Sequence, residues 1–197
     1  MTHSGLTVVY FVRHADSVYV EGAERERGLT DQGKRDALTV CDLLFGEPID
    51  AFHSSPYQRA VDTIQPLADA KGMDITTWED LRERLASGSD LGKRFKEAKK
   101  KLFEEPDFAY PGGESSKEAA LRAARVLGEL LLRHRGQSIV IGTHGDIMTL
   151  MLNHFDPRFD YAFWTGTTMP DLYRLEFDPA DKLTLVTRLW DGGKRQL

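Results

Sequence analysis

The chain has 197 residues, 41% hydrophobic and 29% charged, with 26 basic against 31 acidic side chains and a formal net charge of −5. This composition excludes collagen-like, disordered and coiled-coil chains, and the length fits a single domain, residues 1–197, able to bury roughly 70% of its unfolded surface. The acidic balance argues against nucleic-acid binding, and no apolar run approaches the 18 or so residues of a membrane helix. The lone cysteine, Cys41, forbids an intrachain disulfide. With an N-terminus (Met1–Gly5) that lacks the Lys or Arg of a secretion signal, it points to the cytoplasm.

Leu6–Val12 is a nearly continuous, β-branched apolar run, as in a buried parallel strand. Thr30-Asp31 opens a helix with Ala37, Leu38, Cys41, Leu44 and Phe45 on its apolar face. Ala51–Ser54 reads as a short strand. Ser55-Pro56 reads as an N-cap and first helical residue, leading into a helix that buries Ala60, Val61, Ile64, Leu67 and Ala68. Asp74–Thr77 is a further short strand. Residues 84–114 differ: they are charged, poor in aliphatics, and carry a basic run from Lys93 to Lys101 whose plain reading is a solvated helix face and whose sharper reading is a lid for anionic substrates. A long helix follows with Ala119, Ala120, Ala123, Val126, Leu127, Leu130 and Leu131 inward, stopping near Gly136. Ser138–Gly142 is a second buried strand, with a helix after Asp146. Asp171–Phe177 and Leu183–Trp190 form an antiparallel hairpin. The alternation predicts an α/β three-layer sandwich, a mostly parallel central sheet with helices on both faces.

In such folds ligands bind beyond the carboxyl ends of the strands. Arg13-His14-Ala15-Asp16, Ser55-Pro56-Tyr57-Gln58-Arg59 and Thr143-His144-Gly145-Asp146 all fall there, so two histidines and two arginines meet on one rim. Arginine matches phosphoryl oxygens with a fixed planar charge, and a neutral imidazole nitrogen attacks phosphorus near pH 7. Phosphoryl transfer then needs an acid for the leaving oxygen. Glu83, in Asp80-Leu81-Arg82-Glu83-Arg84, is the leading candidate, with Glu79 and Asp80 as competitors. His134 reads as a helix-end cation, His53 as a strand-end structural residue, and Cys41 as core; His3 and His154 receive no role.

These segments resemble the histidine phosphatase superfamily, also called phosphoglycerate mutase-like. Val12-Arg13-His14-Ala15 is similar to its arginine-histidine-glycine signature, Leu29-Thr30-Asp31-Gln32-Gly33 to its leucine-threonine-x-x-glycine segment, and Ser55–Thr63 to its second arginine segment. Leu81-Arg82-Glu83, Gly112-Gly113-Glu114-Ser115 and Thr143-His144-Gly145 complete the series in family order. The resemblance implies His14 as the nucleophile that becomes phosphohistidine, and Glu83 as acid and then base. It implies that Arg13, Arg59 and His144 hold phosphate, with no metal or other cofactor. Two departures stand out. Ala15 replaces a glycine, and Val20 stands near the position where mutases carry a phosphate-binding asparagine.

The expected activity is therefore a metal-independent phosphomonoesterase acting on a small phosphorylated substrate. A cofactor-dependent phosphoglycerate mutase using the same residues is the alternative. Below these stand a metal-dependent hydrolase built on the two His-x-Asp pairs, and a phosphate-binding module without catalysis.

Overall fold

A computed structural model describes residues 5–20 and 22–192; the leader reading at Met1–Ser4 and the reading of His3 lie outside them. One six-stranded sheet runs in the order β3 (Ile75–Thr77), β2 (Ala51–Ser54), β4 (Ser138–Thr143), β1 (Thr7–Arg13), β5 (Asp171–Phe177), β6 (Leu183–Arg188). The first four of these are mutually parallel and the last two antiparallel, so the sheet is mostly parallel. Helices α1 (Asp31–Leu44) and α2 (Gln58–Lys71) cover one face, and α4 (Ser116–Arg133) and α5 (Gly145–Phe155) the other. Helices α3 (Phe95–Glu104) and α6 (Tyr161–Gly166) pack on each other. Among the described residues no helix is long and apolar enough to cross a membrane.

The two-residue period of the strands builds both cores. Val9, Phe11, Ile139 and Ile141 face Val126, Leu127, Leu130, Ile147 and Met151. Their neighbours Tyr10, Val12 and Val140 face Val40, Leu44, Ile64 and Leu67. Each such buried side chain contributes about 1.5–3 kcal/mol, so the central strands are held from both sides. Register then sets the rim. Arg13 pairs with Thr143 on one side and Asp171 on the other, and Ser54 pairs with Gly142. His14, Ser55 and His144 therefore leave the sheet at one level. The His14 N–H donates to Thr143 O and the Ser55 N–H to Gly142 O, both at 2.9 Å.

Several local expectations change. The helix expected at Ser55-Pro56 begins at Gln58, with Tyr57 as N-cap and no side-chain capping bond. The Ser55 hydroxyl is committed to the rim instead. On α1 the buried stripe is Gly33, Ala37, Val40 and Leu44, while Leu38 and Phe45 are exposed. They sit about 100° around the helix from that stripe, on its solvent side. Strand β6 ends at Arg188, and Trp190 turns into the core. In the basic run Lys93, Arg94, Lys96 and Lys100 are exposed as expected, but Lys99 is buried. Helix α6 carried no sequence signal. It is one and a half turns long, begun by Asp160, whose carboxylate accepts from the Ala162 N–H at 2.8 Å.

Candidate active site

His14 follows β1 and is only 5% exposed. Its Nδ1 lies 2.8 Å from the carbonyl of Ala15. A carbonyl only accepts, so Nδ1 carries the proton and Nε2 keeps a free lone pair. Burial, then the neighbouring charge of Arg59, Arg13 and Arg27, pushes the His14 pKa down to about 3, although its bond to Ala15 opposes the shift. At neutral pH the ring is therefore an uncharged nucleophile. His144, fully buried, stands edge-on to it with ring centroids 5.2 Å apart. Burial, His14 and the same arginines hold His144 well below the usual histidine range. Its Nε2 meets Ser55 Oγ at 2.7 Å, the Tyr57 ring packs edge-on beside it, and its Nδ1 has no protein partner.

Arg13, the last residue of β1, reaches Thr167 Oγ1 through Nη1 at 2.5 Å. Its guanidinium lies over the start of α5, where only a glycine fits: a Cβ on Gly145 would come 2.9 Å from Arg13 Cζ. Arg59, second residue of α2, is 2% exposed, donates from Nη1 to the carbonyl of Glu24 at 2.6 Å, and stacks over Tyr57. Burial lowers the pKa of both guanidiniums. Glu24 Oε2 lies 3.3 Å from Arg59 Nη2 and 3.2 Å from Arg27 Nη2. Arg27 is thus a third arginine beside both histidines, and sequence reasoning missed it. The antiparallel bridge Ser17–Leu29 folds residues 18–28 back over the rim, and nothing in that non-periodic loop announces it.

Glu83 places its carboxyl at the first turn of α5. Oε1 accepts from the N–H groups of Arg84 (3.0 Å) and Ile147 (3.1 Å), and Oε2 from that of Asp146 (3.2 Å). Burial and the Asp146 charge nevertheless raise its pKa, against the pull of Lys99 and these backbone donors. A carboxyl held protonated beside a nucleophilic histidine is what a general acid requires. Its competitors lie elsewhere. Glu79 forms an exposed pair with Arg25, and Asp80 pairs with Arg82 and Arg125.

The remaining candidates stand apart. His53 and His134 meet through their Nε2 atoms at 3.1 Å, with Trp78 Nε1–H donating to His53 Nδ1 at 3.2 Å. His134 ends α4, as a helix-end residue should, but its ring bonds to its neighbours rather than to the helix. His154 packs on Phe155, and Cys41 is half-buried against the α1–α2 core. The His-x-Asp pairs do not build a metal centre. Thr30 donates its hydroxyl to Asp16, and Arg84 and Lys99 engage Asp146. Among the described residues no three potential ligands converge.

The sequence profile of the histidine phosphatase superfamily, branch 1, matches residues 9–187. The chain belongs to that superfamily. It is a histidine phosphatase, with relatives on both sides of the phosphatase–mutase divide. A "phosphoglycerate mutase-like protein 4" of Arabidopsis thaliana is 31% identical over 90% of this chain and 82% of its own length. "Phosphoserine phosphatase 1" of Hydrogenobacter thermophilus is 29% identical over 68% of each. The solved structure of a phosphoserine phosphatase from Entamoeba histolytica, in complex with 3-phosphoglyceric acid, superposes with a TM-score of 0.74 at 18% identity, over 95% of this chain and 98% of that one. This likeness shows that the phosphoglycerate mutase-like fold is shared.

Within this histidine phosphatase the two departures have local explanations. The Ala15 methyl is fully buried against Leu29 and Ala37, while the Ala15 N–H donates to Thr63 Oγ1 at 2.9 Å. The loop therefore accommodates the extra carbon without losing a donor. Val20 is exposed, and in the same loop Arg27 brings a cation to the site.

Proposed function

We propose that this chain is a metal-independent phosphomonoesterase that works through a phosphohistidine on His14. The observation that carries this reading is the set of buried donors without a protein partner: Arg13 Nε, Arg27 Nε, Arg59 Nε and His144 Nδ1. Buried polar groups are nearly always satisfied, and a tetrahedral oxyanion is the ligand that four such nitrogens around one neutral imidazole would suit.

In the first step His14 Nε2 attacks phosphorus, the bond to the leaving oxygen breaks, and that oxygen takes the proton of Glu83. In the second step a water gives its proton to the Glu83 carboxylate and attacks the phosphohistidine, releasing phosphate and restoring both residues. Arg13, Arg59 and His144 hold the phosphoryl oxygens, and Arg27 joins them. The chain acts as one domain on a small phosphorylated metabolite of the cytoplasm, with residues 84–114 laid beside the acid as a lid.

A single turnover with phosphorus-labelled aryl phosphate, quenched in alkali, should leave label on the His14 peptide that acid removes. His14→Ala should abolish that label and slow turnover by roughly 10⁴ or more, the usual cost of losing a nucleophile. Label on another residue, or near-wild-type turnover, overturns the mechanism. Adding phosphoglycerate with a bisphosphoglycerate primer separates the mutase: isomer formation without net phosphate release would replace the phosphatase reading.

A further inference from the structure

Lys99 lies in the one segment that reads from sequence as a charged surface helix, yet it is 5% exposed. Its ammonium is flanked by the rings of Phe95 and Trp164, 5.2 and 5.9 Å from their centroids, and bonds to the Asp146 carboxylate. Arg84 reaches the same Oδ2 from Nε (2.8 Å) and Nη2 (2.6 Å), and is itself held by Ser116 and Phe103. Asp146 thus gives its side chain to Lys99 and Arg84 and its backbone N–H to Glu83 Oε2. Burying two cations and a carboxylate is costly unless each is paired, and a packed apolar trio of the same size would hold α3 at least as well.

We propose that Lys99 and Asp146 are positioning residues that set the proton affinity of Glu83, so that the acid is tuned by the docking of α3. This rests on Glu83 being the acid of the phosphatase reaction. The groups facing Glu83 come from every element around it: Lys99 from α3, Asp146 from α5, Arg13 from β1, Tyr57 and Arg59 at the start of α2, and Arg84 on its own loop. Of these, Lys99 and Asp146 act with opposite sign. The ammonium favours the carboxylate form of Glu83 and the Asp146 charge favours the protonated form.

The test is the alkaline limb of kcat/KM for an alkyl phosphate, which reports the acid of the free enzyme. Lys99→Met removes the favouring cation while Arg84 still pairs Asp146, so the limb should move to higher pH. Asp146→Asn removes the opposing anion and leaves Lys99 in place, so the limb should move to lower pH. Each displacement should be about one pH unit, the usual effect of one nearby charge. The double variant should return close to wild type. Glu83→Gln separates the two possible failures. If the limb survives in Glu83→Gln, the acid is another group and the reaction scheme itself fails. If Glu83→Gln abolishes the limb but neither single variant moves it, Lys99 and Asp146 are structural and this inference fails. Should Asp146→Asn not fold, Lys99→Met alone decides: an unmoved or acid-shifted limb overturns the proposal.

Discussion

Gly145 shows two effects of one residue that point in opposite directions. As the first residue of α5 it costs the helix roughly 0.5–1 kcal/mol relative to alanine. Against that, a Cβ there would meet the Arg13 guanidinium at 2.9–3.1 Å. The clashing atoms are the far end of a side chain, so the fold can yield but the phosphate site cannot. Gly145→Ala should leave thermal stability unchanged or slightly higher and lower kcat/KM by about 10²–10³, the cost of misplacing one charge-stabilising donor. A variant with full activity would show that the position of Arg13 is not critical. Arg13, His14, Arg59 and His144 were legible because each follows a strand or opens a helix whose pattern fixes its place to within a residue. Arg27 and Glu24 were not, since a loop without periodicity hides which of its charges turns inward.

Helix starts divide in the same way. Ser115 and Glu118 form the reciprocal cap that their spacing allows: the Glu118 N–H donates to Ser115 Oγ at 3.2 Å and the Ser115 N–H to Glu118 Oε2 at 2.9 Å. Ser55 has the same look in sequence but a different task, because the rim competes for its hydroxyl and wins. If Ser55 were a helix cap, Ser55→Ala would cost about 0.5–2 kcal/mol of stability and little activity. The structure predicts the reverse. Stability should change little, while turnover should fall about 10–100-fold, as when a histidine loses the partner that fixes its tautomer. Equal thermal unfolding with reduced activity supports this; a destabilised but fully active variant rejects it. Helix α3 was misread for a related reason. A lysine among five other basic residues looks solvated, and its burial depends on Asp146 and Trp164, some 50 and 65 positions away in the chain, which no local pattern reveals.

Across the whole molecule, the buried histidines make stability depend on pH. Burial depresses His14 to about 3, His53 to about 4, and His144 well below its ordinary value. Unfolded, each would bind a proton near pH 6.5. Below that pH the unfolded chain therefore gains protons that the folded chain refuses, so the stabilisation present above 6.5 is lost as pH falls toward the folded values. Glu83 works oppositely. Its raised pKa lets the folded state keep a proton that the unfolded chain has released, which stabilises the fold at low pH and fades as pH rises. Three protons against one leave a net difference of about two, worth roughly 2–3 kcal/mol per pH unit at its steepest. Urea unfolding at pH 7.5, 6.5 and 5.5 should show the midpoint nearly level at first and then falling steeply. His53 lies outside the catalytic rim, so His53→Gln isolates one of the three: the slope between pH 6.5 and 5.5 should flatten by about 1.4 kcal/mol per pH unit, with turnover retained. A midpoint that stays level to pH 5.5, or a His53→Gln slope equal to wild type, would mean that these imidazoles are not held neutral by the fold.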